Sequence, residues 1–411
     1  MMLLRTLLCL FFLGYSSFST AVEIMHWWTS AGEQRALQTL VQHLKQHQIE
    51  IEINPILGGG GDNAMTVLQA RALAGNPPQL AQIEGPSIRD WDAIGILHNL
   101  NPVAATEHWD EQLYPAVIDV NKTEQGYVAL PLTLHRMNML WVNNQLLKQL
   151  NLQLPTTQTE FLQALKTAHQ HGISPLAIGE QPWQIAQIFE SFVIAYGGID
   201  FYRQSLVELR PEHIRTPPMH RALQALREVS QWVSFTKNDA RWDSATQALI
   251  NGETLFQLGG DWILGELLAK KVNVPEAISC TPAPGSHNSY LYNMDSFVFM
   301  ASKEFNYADA NQLATLLADK QFQTNFNRYK GSIPVRQDIA LDTFNLCQQR
   351  SHQDFLYTAK EGNLVPSMTD SMAVNPMIQQ AITNEIFHFF RNPAVSEEEV
   401  MKRIWAIASS N

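Results

Sequence analysis

The sequence predicts an α/β protein of two domains with a ligand cleft between them. Its 411 residues exceed what one compact hydrophobic core usually serves. Segments with strand and helix patterns alternate along the chain, which is typical of a mostly parallel sheet covered by helices. No internal repeat, low-complexity block or long linker divides the sequence, so we expect the chain to cross between the domains more than once.

Apolar periodicity and capping residues define the individual elements. Val22–Trp28 reads as a strand, and Ser30 with Glu33 has the spacing of a capping box, which begins a helix. Asp62 follows the glycine run at 58–61 and predicts the N-cap of a second helix. Further strands are predicted at Ile49–Ile53, Leu80–Ile83, Leu140–Val142 and Leu176–Ile178, and further helices from Ser87, Thr159 and Trp183.

The charge and the N-terminal segment indicate where the protein works. A formal net charge of −11 argues against nucleic acid or an anionic membrane surface as a partner. Arg5, the apolar run Leu7–Leu13 and small residues up to Ala21 form a cleavable signal peptide pattern, so residues 1–21 are predicted to be removed. Cys9 lacks the preceding small residue that a lipoprotein signal requires. We therefore expect a protein of the Gram-negative periplasm without a lipid anchor.

Two cysteines, Cys280 and Cys347, remain after removal of the signal peptide. An even pair in an exported protein predicts a disulfide, which would stabilise the fold by roughly 4 kcal/mol in the chain-entropy model. Two buried free thiols are the alternative.

Sequence motifs of the common enzyme classes are absent. The chain contains no G-x-S-x-G elbow, no H-E-x-x-H and no C-x-x-C, and the glycine run at 58–61 lacks the lysine of a P-loop. His43 and His47 have the i, i+4 spacing of metal ligands, but they fall on the polar side of the first predicted helix. We accordingly predict no catalytic residue, no metal site and no cofactor.

Aromatic rings alternate with amides and carboxylates in several predicted loops. A sugar presents apolar C–H faces to a ring and hydroxyl groups to polar side chains, so this mixture matches its chemistry. Core packing is the alternative for any single tryptophan, and only the set points to a ligand. The stretches are Trp27–Trp28, Gln181–Gln184, Arg241–Asp243, Gly259–Trp262, Asn293–Asp295 and Asn327–Pro334.

Read in order, these and neighbouring stretches resemble the family 1 extracellular solute-binding proteins, the sugar-binding proteins of bacterial ABC importers. The resemblance is to their glucose/mannose-binding branch, and it runs from His26 nearly to the C-terminus. Its motifs are HWWTSAGE at 26–33, GGGGDNAMTVL at 58–68, AGNPPQLAQIEGP at 74–86, HRMNMLWVN at 135–143, GEQPWQ at 179–184, GGDWILGE at 259–266, NMDSFVF at 293–299, KGSIPVR at 330–336 and LVPSM at 364–368.

The resemblance implies a two-lobed periplasmic binding protein fold of type II, like that of maltose-binding protein, in a monomer that closes over one sugar. The implied N-terminal lobe comprises residues 22–131 and 294–334, and the C-terminal lobe comprises 132–293 and 335–411. The Cys280–Cys347 pair also fits this branch. The implied ligand-binding residues are Trp27, Trp28, Glu33, Gln82, Trp183, Trp242, Asn293, Asp295 and Lys330.

Two positions depart from the glucose-binding relatives, which carry Lys or His where this chain has Glu84, and His where it has Asp370. A carboxylate accepts a hydrogen bond from a hydroxyl but cannot donate one, and it favours a cation. We therefore expect Glu84 and Asp370 to bind a modified or amino sugar rather than glucose. The alternative is that Glu84 pairs with Lys330 and only shapes the pocket.

The sequence does not identify the protein on which the ligand-bound, closed form docks. A membrane permease of an ABC importer is the first candidate, and the periplasmic domain of a sensor kinase or chemoreceptor is the second. The alternative from another class is an exported glycoside hydrolase. Such an enzyme needs two carboxylates flanking a glycosidic bond, and Glu84 with Asp370 is the available pair.

Overall fold

The computed structural model describes residues 21–58, 61–233, 235, 241–302 and 305–410. Residues 1–20 of the predicted signal peptide and two glycines of the run at 58–61 lie outside the described residues. The strands are β1 (Val22–His26), β2 (Ile51–Pro55), β3 (Leu80–Ile83), β4 (Lys122–Thr123), β5 (Gly126–Tyr127), β6 (Ala129–Pro131), β7 (His135–Arg136), β8 (Met139–Asn143), β9 (Ser174–Ala177), β10 (Thr254–Leu258), β11 (Ile278–Pro282), β12 (Tyr290–Asn293), β13 (Ser296–Phe299) and β14 (Leu364–Pro366).

Helices cover much of the remaining chain, and a π-helical turn at Arg203–Val207 follows the longest of them. They are α1 (Ala31–Gln46), α2 (Asp62–Leu73), α3 (Ser87–Ile94), α4 (Asn101–Thr106), α5 (Trp109–Gln112), α6 (Pro115–Asn121), α7 (Asn144–Gln149), α8 (Gln158–Gln170), α9 (Pro182–Tyr202), α10 (Pro211–Ile214), α11 (Pro217–Ser230), α12 (Trp242–Ile250), α13 (Trp262–Ala269), α14 (Tyr307–Ala318), α15 (Lys320–Lys330), α16 (Leu346–Glu361), α17 (Pro376–Arg391) and α18 (Glu397–Ser409). Within the described ranges, no helix combines the length and apolar character needed to cross a membrane.

A five-stranded sheet takes its strands from the first part of the chain and from one later segment. Its order is β2-β1-β3-β13-β6, in which β1 runs parallel to β2 and β3 while β13 runs antiparallel to β3 and β6. Helix α1 begins at the N-cap Ser30, and both hydrogen bonds of the predicted capping box with Glu33 are present. That prediction is confirmed.

The start of α2 differs from the prediction. The N-cap is Gly61, and Asp62 is the first helical residue rather than the cap. Gly61 has a φ of 80°, a left-handed conformation that glycine adopts without steric cost. A Cβ added at Gly61 would lie 3.4 Å from the ring of Trp27, so the turn packs closely against that tryptophan.

A four-stranded sheet with the order β11-β8-β10-β9 forms the second layered unit. Helix α9 is buried over most of its first half, where its apolar residues belong to the same hydrophobic cluster as residues of β8, β9 and β10. Cys280 in β11 and Cys347 in α16 form a disulfide, which confirms the predicted pairing. The bond ties α16 to this sheet.

The two sheets are joined where three segments of the chain lie side by side. The backbone N–H of Leu132 donates to the carbonyl of Asp295 at 2.9 Å, and Leu134 and Ile333 exchange two backbone hydrogen bonds of 3.0 Å. The three-stranded sheet β14-β12-β7 lies beside them. The lobe boundaries expected at 131–132, 293–294 and 334–335 fall in or next to these segments, and their placement stays a prediction.

Candidate functional site

A cavity of about 280 Å³ is lined by residues from elements of both large sheets. Five of the ten tryptophans of the chain surround it, together with carboxylates, amides and cations. It therefore offers flat apolar rings and hydrogen-bonding groups to the same ligand. Its lining comprises Trp27, Trp28, Thr29, Glu33, Leu57, Gly58, Glu84, His135, Gln181, Trp183, Arg241, Trp242, Asp243, Trp262, Asn293, Asp295, Lys330 and Asp370.

One wall is formed by the segments that follow three parallel strands. Trp27 and Trp28 follow β1, Leu57 lies beyond β2, and Glu84 follows β3. These strands are neighbours in the order β2-β1-β3, so their carboxyl ends meet at one edge of the sheet. Ligands of α/β proteins commonly bind at such an edge.

The opposite wall carries three tryptophans at the starts of helices. Trp183, Trp242 and Trp262 lie in the first turns of α9, α12 and α13. Trp262 makes edge-to-face contacts with the other two rings, with centroids 6.0 Å from Trp183 and 6.3 Å from Trp242. Edge-to-face packing fixes the ring planes, so the aromatic surface has a defined shape before a ligand arrives.

Trp28 and Trp27 differ in how firmly they are held. Trp28 is 1% exposed and packs at 5.7 Å from Phe297 and 5.4 Å from Phe326, whereas Trp27 is 8% exposed. The ammonium of Lys330 lies 5.7 Å from the centre of the Trp28 ring, within the range of a cation–π contact. Trp28 is thus both a core residue and a wall of the cavity.

Lys330 and Asp295 form the centre of a buried ionic cluster. The Lys330 ammonium lies 3.5 Å from Glu33 and 3.9 Å from Asp295. Burial by itself raises the pKa of Asp295, but the charges of Lys330 and His135 outweigh burial and hold that pKa well below its usual range. Asp295 is therefore ionised in the folded protein.

Gln82 supports this cluster from behind the cavity wall. Its amide donates to Asp295 at 2.6 Å, and its carbonyl oxygen accepts from the backbone N–H of Trp27 at 3.2 Å. Gln82 is fully buried and is not among the lining residues. Gln82 therefore contacts two lining residues but does not itself line the cavity.

His135 is a lining residue that the sequence did not single out. Its Nδ1 contacts Asp261 and its Nε2 lies 3.2 Å from Asp295. Burial lowers the pKa of His135, but the charge of Asp261 and the hydrogen bonds to both carboxylates outweigh it, so the pKa is raised. Because carboxylates accept hydrogen bonds, a ring between two of them carries both protons and a positive charge.

Glu84 and Asp370 meet at Asn293. The side-chain amide of Asn293 donates to Glu84 Oε1 at 3.1 Å and to the backbone carbonyl of Asp370 at 3.0 Å. Burial, with the charges of Asp295 and Asp370, raises the pKa of Glu84 well above its usual range. Burial, with the charge of Glu190, does the same for the pKa of Asp370. The two carboxyl groups therefore share one end of the cavity.

The loop that carries Asp370 is anchored by Glu190, a fully buried residue of α9. Glu190 accepts hydrogen bonds from the Tyr202 hydroxyl and from the backbone N–H groups of Met368 and Thr369, the latter two at 2.7 and 3.2 Å. These bonds tie the loop to α9, so the position of Asp370 depends on a helix far away in sequence.

Ten of the eleven residues expected to bind ligand line the cavity, and Gln82 is the exception. Lys330 contacts Glu33 and Asp295, and Glu84 accepts a hydrogen bond from Asn293. Among the lining residues outside that prediction are His135 and Trp262, which occur in the stretches HRMNMLWVN and GGDWILGE. In the described part of the chain, no His, Cys, Asp or Glu group has a metal-binding arrangement.

The chain matches the family model described as bacterial extracellular solute-binding protein over residues 28–298. It is 34% identical over 390 residues to the "Probable sugar-binding periplasmic protein" of Rhizobium meliloti, covering 95% of this chain and 94% of that one. A protein of the same name from Brucella suis biovar 1 is 32% identical over 389 residues, covering 95% and 92%.

Solved structures show the same fold at low sequence identity. The maltose-bound MalE3 of T. maritima superimposes with a TM-score of 0.73 at 15% identity, covering 95% of this chain and 99% of that one. A chitin oligosaccharide binding protein gives a TM-score of 0.79 at 15% identity, covering 95% and 98%. The predicted two-lobed α/β fold of the maltose-binding-protein kind, with its cleft between the lobes, is thereby confirmed.

Proposed function

Because this chain belongs to the family of bacterial extracellular solute-binding proteins, we propose that it captures a monosaccharide-like ligand between its lobes and delivers it to an ABC importer. The observation that carries the proposal is the cavity lining, in which five tryptophans surround a set of hydrogen-bonding groups. Ring faces pack on the C–H surfaces of a sugar, and fixed polar groups orient its hydroxyls.

Capture works through closure of the lobes over the ligand. The Gln181 amide on one wall donates to the carbonyl of Gly58 on the other, and the backbone N–H of Gly32 in α1 donates to Glu266 in α13 at 2.8 Å. A ligand that contacts both walls stabilises this closed arrangement by its differential affinity for it. The closed form is then the one that docks on the membrane permease.

We propose that the protein works in the Gram-negative periplasm. The relatives in Rhizobium meliloti and Brucella suis are named periplasmic. A signal peptide at residues 1–21 accounts for export, and no catalytic step is needed for capture and release. The ligand leaves unchanged when the lobes open.

The ligand that fits this cavity best is a modified or amino sugar rather than glucose. Glu84 and Asp370 are buried, and both line the cavity. A buried carboxylate accepts hydrogen bonds and favours a positive partner, whereas a neutral sugar brings no charge. Preference for an altered sugar follows from these two side chains.

Thermal unfolding in the presence of single sugars tests the proposed function. A ligand that binds only the folded protein at a hundred times its Kd raises the free energy of unfolding by about 2.7 kcal/mol. We expect at least one monosaccharide or amino sugar to raise the Tm, and Asp295→Asn to abolish the rise. Asp110→Asn is the matched control, because Asp110 is largely exposed and does not line the cavity.

Two results would contradict the proposal. The first is a Tm that no hexose, pentose or amino sugar changes. The second is release of reducing sugar from glycosides by the purified protein, which would indicate hydrolysis in place of capture.

A further inference from the structure

The end of the cavity formed by Glu84, Asp370 and Asn293 contains more hydrogen-bond acceptors than donors. The side-chain amide of Asn293 has two N–H bonds, and both are engaged, with Glu84 Oε1 and the Asp370 carbonyl. The reverse amide orientation would set Oδ1 of Asn293 against the backbone carbonyl of Asp370, which can only accept, so this partner fixes the assignment. Only the carbonyl oxygen of Asn293 is left for another partner.

That oxygen is an acceptor without a donor. Asn293 is 4% exposed and lines the cavity, and its Oδ1 has no hydrogen-bond partner among the described residues. A buried polar atom without a partner is costly, and at a cavity wall a ligand atom can supply that partner. Because Oδ1 is an acceptor, that ligand atom must be a donor.

Asp370 is also short of donors. Ser367 Oγ lies 3.1 Å from Asp370 Oδ2 and 2.9 Å from Glu190 Oε2, but a hydroxyl has one hydrogen and can serve only one of these carboxylates. The amide of Gln187 is at 3.4 Å, a long distance for a hydrogen bond. Asp370 therefore has room for a further donor on its cavity side.

The cations that face this end of the cavity serve other carboxylates. Lys330 contacts Glu33 and Asp295, and His135 lies between Asp261 and Asp295. Glu84 and Asp370 lie within the electric field of these groups, yet neither has a cation in the ion pairs of the described residues. A positively charged group of the ligand would add a charge that the Lys330 and His135 ion pairs do not direct at Glu84 or Asp370.

We propose that Glu84, Asp370 and Asn293 Oδ1 form a subsite for a protonated primary amine of the bound sugar. An ammonium has three N–H donors and no acceptor, which matches three acceptors, whereas a hydroxyl has one hydrogen to give. The positive charge also compensates the two buried carboxylates. This inference rests on the proposed function and specifies its ligand as an amino sugar.

Binding of the amine displaces protons from this subsite. Burial raises the pKa of both carboxyl groups well above the usual range, so without ligand they keep their protons to a higher pH than an ordinary carboxyl group does. When the ammonium enters, its charge favours the ionised carboxylates and the protons pass to the buffer. A neutral sugar lacks this charge and leaves the protons in place.

Isothermal calorimetry with matched sugar pairs tests the subsite. Glucosamine, galactosamine and mannosamine are each compared with the hexose that carries a hydroxyl in place of the amine. We expect one amine to bind at least tenfold more tightly than its hexose. The measured binding enthalpy of the amine should differ between two buffers with different ionisation enthalpies. The sign of that difference should be the one expected when protons pass from the protein to the buffer.

Variants separate the subsite from the rest of the cavity. Glu84→Gln and Asp370→Asn should each weaken amine binding ten- to a hundredfold, because a hydrogen bond to a charged group is lost. Their affinity for the neutral hexose should change less, and Asp110→Asn should behave as the unmodified protein does. Circular dichroism checks that every variant is folded.

The outcomes distinguish this inference from the function on which it rests. The amine subsite would be overturned if each hexose bound as tightly as the corresponding amino sugar, both to the unmodified protein and to Glu84→Gln. The proposal of sugar capture would not be affected by that result. Failure of every amine and every hexose to bind would overturn sugar capture, and the subsite with it.

Discussion

The ammonium of Lys330 lies 3.5 Å from the carboxylate of Glu33, although 297 positions separate the two residues in the sequence. Glu33 also accepts from the backbone N–H groups of Thr29 and Ser30, at 2.9 and 3.0 Å. One carboxylate thus caps α1 and contacts Lys330, which lines the cavity. The contact links the end of α15 to the segment that carries the tryptophan pair.

Replacing Lys330 by methionine should destabilise the fold and abolish ligand binding. Lys330 is 3% exposed, and its loss leaves Glu33 and Asp295 without their ammonium partner. Breaking a buried ion pair by removing one partner costs about 3–5 kcal/mol. Urea unfolding measures the change. Lys320→Met is the control. Lys320 is half-exposed and pairs with Asp338 at the surface, so this substitution should lower the free energy of unfolding by less than about 1 kcal/mol.

Trp28→Ala and Trp242→Ala should separate stability from affinity. Trp28 packs between Phe297 and Phe326, so its truncation should lower the free energy of unfolding by about 3–5 kcal/mol. Trp242 is only partly buried and should lose ligand affinity with a smaller effect on unfolding. Trp405→Ala, on the exposed side of α18, should change neither quantity. Equal unfolding curves for the first two variants would contradict this division.

Ligand-free protein should lose stability as the pH rises above the usual pKa of a carboxyl group. Burial raises the pKa of Glu84 and of Asp370, so the folded state keeps protons at pH values where the unfolded chain has released them. The free energy of unfolding then falls as pH rises from about 4.5 through the raised pKa values. Urea midpoints measured from pH 4.5 to 8 should show a shallower fall for Glu84→Gln.

Glu160 provides a control of opposite sign for that experiment. Hydrogen bonds from Thr156 and Thr157 lower the pKa of Glu160 to about 2, so its contribution to stability is present above the unfolded pKa and is lost as pH falls toward 2. Glu160→Gln should therefore flatten the acid side of the curve. Identical pH profiles for the Glu84 variant and the unmodified protein would contradict the charge assignment at the cavity.

Removing the disulfide should lower stability and spare ligand binding. The bond closes a loop of 67 residues between Cys280 and Cys347, for which the chain-entropy model gives about 4 kcal/mol. Neither cysteine lines the cavity. The double Cys→Ser variant should therefore unfold at lower urea while its Kd stays within a few fold of the unmodified protein. Dithiothreitol-treated protein provides the matched comparison, and a large loss of affinity would contradict the separation.

Local signals made part of the site predictable from the sequence. The period-two pattern of β2, the Ser30–Glu33 spacing and the adjacent tryptophans depend on neighbours within a few residues, and the structure has the strand and the capping box. Resemblance to a family added Asn293, Asp295 and Lys330, which all line the cavity. No such signal existed for the supporting role of Gln82, because its partners Asp295 and Trp27 lie next to the ends of β13 and β1, far from Gln82 in the sequence.

The sequence by itself determined the α/β class, the capped first helix, the pairing of two cysteines and the set of rings and carboxylates available for a ligand. Only the tertiary structure decided which charged groups lie close together. Lys330 contacts Glu33 and Asp295, and His135 contacts Asp261. Asn293 donates to both Glu84 and the backbone carbonyl of Asp370. The physical reason is that hydrophobic periodicity and capping act over a few residues. The balance of charge in a buried cavity depends instead on contacts between segments hundreds of residues apart, which the folding of both lobes brings together.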